Sequence, residues 1–287
     1  MHLPLVFMNG PWRMSMGLRN LEPGDWLWID DEHAAHVAEH ARLIAERRDV
    51  VIAALPGSED ACAELLEMVV DDLLAHHGRD HRALRADPDP LGTISRLVQE
   101  DFCLLQRSDE GSYVLRAGVL CFPLHWQLRD KLGLPLRVIH GPVPGFADRL
   151  GDPADRFFST LTVERPVWRA NWALTDEPEL HVPARRGHGH NVTSGDAGER
   201  LWLRIERQTL RRLPRSHAVV FGIRTLVRRL DTMVGEPGVA AAIADRIREM
   251  PEAMTRYKGF APMHGPLLAY LDRAAGRPVA EGAAAGG

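Results

Sequence analysis

The sequence predicts an α+β protein in which helices come first and an antiparallel sheet follows. Three observations carry this. The N-terminal region repeats apolar residues at helical spacing, the later part alternates apolar and polar residues with period two, and Gly and Pro divide that later part into short runs. Successive strands with short helices between the earlier ones suggest a sheet that carries its helices on one face.

Taken in order, "EHAAHVAEHARLIAERR" places Ala34, Val37, Ala41 and Ile44 on one helical stripe, opposite a charged face that includes His33, His36 and His40. "SEDACAELLEMVVDDLLAHH" carries Leu65, Met68, Val69 and Leu73 behind a Ser58 or Asp60 cap. "DPDP" at 87–90 breaks the chain, and "LGTISRLVQEDFCLL" reads as a third helix before the turn "RSDEGS". Beyond "YVLRAGVLCF", helices are expected at "HWQLRDKLG" and "DPADRFFSTL", the latter with Asp152 as cap and Pro153 at the first helical position. "PVWRANWAL", "RLWLRIERQTL" and "HAVVFGIRTLV" read as three strands. The loop 176–199, rich in Gly, Pro, His and Arg, is long for a plain connection and is expected to move or to cover a site. After "GEPG" comes a helix with Ala241, Ile243, Ile247 and Met250 on its apolar positions, then "PEAMTRYKGF", a last apolar stretch and a tail expected to be disordered. The resulting division is a helical extension over 1–90, a core over 91–232, a helical segment over 233–275 and the tail 276–287.

Composition narrows the function classes. A chain of 287 residues with 45% hydrophobic and 26% charged residues can bury a full core, and a net charge of −4 gives no footprint for nucleic acid. No apolar run approaches the roughly 18 residues that span a bilayer, and no signal peptide is legible, so a cytoplasmic protein is expected. Cys62, Cys103 and Cys121 lie far apart in apolar surroundings, which favours buried reduced thiols over disulfides or an iron-sulfur cluster. There is no CxxCH, and in a cytoplasmic chain the "NVT" sequon at Asn191 carries no meaning. "HVAEH" at 36–40 matches a zinc-protease pattern, but without a third ligand in comparable context a solvated helix face is the expected reading. "RRGHGH" at 185–190 reads as a mobile polar loop before it reads as a metal site. GxGxxG and GxxxxGK[ST] are absent, so electrons from a nicotinamide would have to arrive through a partner.

The strands are more informative. Period two puts Arg169 and Asn171 on one face of "VWRANWAL", and Arg204, Glu206 and Gln208 on one face of "LWLRIERQTL", with Arg207 on the other side. Solvent-facing residues would give the same alternation. The mixture of Asn, Gln, Arg and Glu is, however, more typical of a polar network than of a Lys/Glu surface. Arginine's planar fork suits carboxylates better than lysine's point charge does.

"VQEDFCLL", "KLGLPLRVIHGPVPGF", "VWRANWAL" and "LRIERQTLRRLPRSHAVVFGIRTL", in this order, resemble the alpha subunit of the haem-dependent oxidative N-demethylases over roughly residues 20–260. The resemblance implies a PAS-like antiparallel sheet with a haem pocket, plus N- and C-terminal helical extensions. It implies haem b, with dioxygen and a small amine as substrates and formaldehyde released from an N-methyl group. In the characterised enzyme type, separate subunits supply flavin, iron-sulfur and folate functions, whose signatures this chain lacks. His140 is then the candidate metal ligand, oriented through its other ring nitrogen by a carbonyl and aimed by the Gly and Pro that follow. A structural role in the turn and a distal role beside the oxygen site remain open for it. His125 is the second candidate, followed by His181 and His217. Glu206, Arg204 and Gln208 are the catalytic candidates, and Arg169, Asn171, Arg207 and Arg224 join His140 as cofactor-binding candidates. The alternative is a haem-based gas or redox sensor on the same scaffold. With no kinase, cyclase or helix-turn-helix in this sequence, the enzyme is favoured.

Overall fold

The computed structural model describes residues 3–185 and 191–278. These form an open, fully antiparallel sheet of seven strands: β1 (Arg19–Asn20), β2 (Ile52–Ala54), β3 (Glu100–Arg107), β4 (Tyr113–Val119), β5 (Val167–Thr175), β6 (Trp202–Arg212) and β7 (Val219–Arg229). Their spatial order is β1-β5-β6-β7-β3-β4-β2. β6 and β7 form a long hairpin paired from Trp202↔Arg229 to Arg212↔Val219, and they hold the centre. The three strands expected between residues 166 and 229 are all present.

β3 corrects the expected third helix. Only Pro90–Ser95 is helical, started by Asp89, whose carboxylate accepts the Gly92 N–H at 3.2 Å. From Glu100 the chain pairs with both β4 and β7. A strand buried on both faces reads as a continuous apolar run, which periodicity alone does not separate from a buried helix.

Helices cover both faces of the sheet rather than one. Phe102, Leu104, Val119 and Val220 pack against α1 (His33–Val51), α2 (Glu59–His77), Trp26 and Leu27. On the opposite face Cys103, Leu105, Leu115, Leu210, Phe221 and Ile223 meet Leu128, Leu136, Phe146 and Phe158 from the segment that carries His140. Helices Val239–Glu249 and His264–Ala274 close over Trp172, Leu203 and Ile205 at the β5–β6 end. Both faces of β3 and β7 are apolar, so neither can be left to solvent.

Two local expectations are also corrected. The buried stripe of α1 is His36, His40, Leu43 and Ile44, with Ala34 and Ala35 exposed. The histidines turn inward because partners await them: Gln99 Nε2 and Arg224 Nη1 lie 3.3 and 3.2 Å from His36 Nδ1, and the Ser95 carbonyl accepts from His40 Nδ1 at 3.0 Å. Helix Gly151–Thr160 starts before Asp152, which pairs with Arg137 instead of capping. All three cysteines are free and buried. Among the described residues no helix is long and apolar enough to cross a membrane.

Candidate active site

Antiparallel register brings the polar positions of three strands into one row. Arg169 pairs with Gln208, Asn171 with Glu206, and Glu206 with Thr225 across the next ladder, so all five side chains share a face. Gln208 Nε2 donates to Glu206 Oε2 at 3.0 Å, and Arg204 Nε lies 3.9 Å from Glu206 Oε1. Arg169, Asn171, Glu206 and Gln208 are half-buried, which removes the reading of a plain solvent-facing row. Among the described residues, Arg169 Nε, Arg204 Nε and Thr225 Oγ1 are buried with no hydrogen-bond partner. Such orphans are costly in a native protein and mark where a polar ligand would be welcome.

His140 ends the short helix Leu136–Ile139, on the segment that covers this same face. Its Nδ1 lies 3.0 Å from the Leu136 carbonyl oxygen, which can only accept. Nδ1 therefore carries the proton, and Nε2 keeps its lone pair. The ring stacks on Phe146 at 4.7 Å between centroids. Gly145, in the left-handed region at φ +73°, turns the chain so that Phe146 reaches that position. Burial lowers the His140 pKa, and Arg169 adds to the shift, so the imidazole is neutral at neutral pH.

Lys258 was not singled out by sequence reasoning. β1 pairs with β5 only at Val167 and Trp168, and further along that edge Lys258 Nζ donates to the Trp172 carbonyl at 2.6 Å and to Asn171 Oδ1 at 3.2 Å. It follows helix Glu252–Tyr257 and precedes Gly259, whose φ of +78° stops the helix there. A signal existed: the chain's 35 basic residues include only two lysines, and one lies here. Burial lowers the Lys258 pKa to about 8, with Glu206 pulling it back up. A lysine whose folded pKa lies below its unfolded value binds fewer protons folded than unfolded between the two, so stability rises with pH across that window. In Lys258→Met the rise between pH 8 and 10.5 is expected to vanish, read as the pH dependence of the melting temperature of variant and wild type. Parallel curves would contradict the burial of this ammonium.

The remaining candidates divide clearly. Arg204 belongs to the row; its two Nη groups bond the carbonyls of Phe122 and Leu180, pinning β6 to two loops, while its Nε has no hydrogen-bond partner among the described residues. Arg207 and Arg224 are not brought to the row, because strand parity sends them to the α1 side. Arg207 bonds the carbonyls of Asp25 and Trp26 and stacks over Trp28 at 4.4 Å. Arg224 Nη2 pairs with Asp30 at 2.8 Å. His125 Nε2 meets Glu177 at 3.0 Å, His181 Nδ1 donates to the Cys121 carbonyl at 2.8 Å, and His217 occupies the β6–β7 turn. The expected solvated face at "HVAEH" is overturned, since His36 and His40 are buried with Glu39 left at the surface of the helix. "RRGHGH" lies, beyond Arg185, outside the described residues, as does the tail after residue 278. Two described cavities, one lined by Trp28, Asp30 and Arg228 and the other by Glu39, Arg47 and His181, do not touch His140.

The antiparallel sheet thus carries a half-buried polar row, and the segment over the same face carries a histidine whose Nδ1 is held by a carbonyl, a donor set suited to a polar small molecule or a metal-centred cofactor. The family model for the haem-dependent oxidative N-demethylase, alpha subunit-like proteins matches residues 17–79 and 79–268, and the chain belongs to this family. The family name points to a haem-dependent, N-demethylase-like oxidoreductase that works as one subunit of a larger assembly. The donors present fit such a group: a tautomer-fixed imidazole for iron and a buried arginine nitrogen in want of an anion.

Proposed function

We propose that this chain is the haem b-binding, oxygen-activating subunit of an oxidative N-demethylase acting on a small N-methylamine, with electrons from a separate flavin and iron-sulfur reductase. Residues 91–232 form its PAS-like haem-binding core, and the segments on either side are helical extensions. The observation that carries the reading is the pairing of His140, with Nδ1 held by the Leu136 carbonyl, with a row that leaves the Arg169 Nε buried and unmatched. His140 Nε2 is the metal ligand, and Arg169 is the partner of a propionate. When bound, haem supplies the activation of dioxygen by which an N-methyl group is oxidised and released as formaldehyde.

The protein's own groups position the amine. The Glu206 carboxylate accepts the N–H of a dialkylammonium and can take its proton. Gln208 holds Oε2, which leaves Oε1 to the substrate. Lys258 fixes Asn171 opposite Glu206, so the wall of the site does not relax when the amine enters.

The test is an absorption spectrum of purified protein, as isolated and after haem addition, for wild type and His140→Ala. A Soret band in the wild type that is lost or shifted in the variant is expected. Formaldehyde release from N-methylamines with a reductase then separates the enzyme from a sensor, which would bind ligands without turnover. A wild type that takes up no haem under either condition sinks the proposal.

A further inference from the structure

Where α1 crosses the end of β3, three side chains of different ligand type converge. A ring nitrogen of His40, a carboxylate oxygen of Asp101 and Cys121 Sγ lie within 4.8 Å of one another, and all three residues are buried. We infer that His40, Asp101 and Cys121 form a second metal site, for Zn2+, separate from the haem site proposed above.

The His40 imidazole is prepared for this. Its Nδ1 donates to the Ser95 carbonyl at 3.0 Å, so Nε2 holds a lone pair, and among the described residues that nitrogen has no hydrogen-bond partner although it is wholly buried. It points toward Asp101 Oδ1 at 3.9 Å. A carbonyl on one ring nitrogen and a metal on the other is the usual arrangement of a ligating histidine. Asp101 is fixed in turn, its two oxygens accepting the N–H groups of Cys121 and Phe122 at 2.7 and 2.8 Å. The same turn that presents these N–H groups therefore delivers the Cys121 thiol.

A mixed nitrogen, oxygen and sulfur set in a closed site suits zinc better than magnesium or calcium, which want oxygen alone. His181 donates to the carbonyl of Cys121 and also lines a surface cavity with Glu39 and Arg47. The metal would staple α1 to the loop after β4, with a small ligand in the fourth position.

The experiment is zinc analysis of the full chain, tag removed, after growth with added zinc and gel filtration. About one zinc per chain is expected in the wild type and in Cys62→Ser and Cys103→Ser, and about tenfold less in Cys121→Ser. X-ray absorption at the zinc edge on the wild-type protein should show one sulfur with nitrogen and oxygen neighbours, a readout that does not depend on whether the variant folds. Zinc far below one per chain in the wild type, or a zinc edge without sulfur, overturns the site. Because zinc rather than iron is read, loss of haem binding leaves the result intact.

Discussion

Glu206→Gln is expected to keep the Soret band of the loaded protein and to lower formaldehyde release by about 10²- to 10⁴-fold, the range contributed by a positioned acid or base. The substitution preserves shape. Gln208 Nε2 now donates to Glu206 Oε2 at 3.0 Å, and a glutamine amide rotates to present its oxygen to the same donor. What disappears is the negative charge opposite Asn171 and Lys258, and with it the acceptor for a cationic amine. The substrate-induced spectral change should weaken along with turnover, since in the proposed site the same carboxylate both binds the amine and relays its proton. Steady-state kinetics with the reductase in excess, beside a haem titration, make the check. Turnover within a few-fold of wild type would remove Glu206 from the chemistry and leave the row a structural network.

How much of this was legible in the sequence depends on whether the signal is local. Period two put Arg169 and Asn171 on one face of β5, and Arg204, Glu206 and Gln208 on one face of β6 with Arg207 opposite; the β5–β6 register brings the two sets onto the same face of the sheet. The turn around His140 was legible for the same reason, because Gly and Pro restrict the backbone within a few residues. Thr225, in contrast, joins the row only through the β6–β7 ladder, and its isolated hydroxyl gives no pattern. The stripe on α1 was misread because alanine and valine look like core while histidine looks like surface. Partners distant in sequence, Gln99, Arg224 and the Ser95 carbonyl, make His36 and His40 the buried pair. Lys258 reaches Asn171 from 87 residues away. The "EDFCLL" run has one composition and two possible periods, and only the strands on either side of it decide between them.

Arg224→Met is expected to cost about 3–5 kcal/mol of stability, the cost of breaking a buried pair from one side. Arg224 is fully buried, and its guanidinium serves Asp30 Oδ2 at 2.8 Å, His36 Nδ1 at 3.2 Å and the Thr225 carbonyl. Burial already raises the Glu100 pKa to about 7, against the pull of Arg224 and Arg207. The Asp30 pKa, by contrast, ends below its ordinary value: burial opposes this, while bonds from Gln99 and Arg224 and the Arg224 charge bring it down. Without the arginine, both carboxyl pKa values rise in the folded protein. A folded pKa above the unfolded one gives stability that is present at low pH and lost as pH rises through the folded value. The deficit of the variant should therefore be larger at about pH 8 than at about pH 5.5, measured by urea denaturation at each. Adding Asp30→Asn should recover part of the loss, since the double change removes the stranded charge as well. Haem uptake by the folded variant should match wild type, because strand parity turns Arg224 away from His140. A variant that stays stable but fails to hold haem would reverse this assignment and return Arg224 to the cofactor.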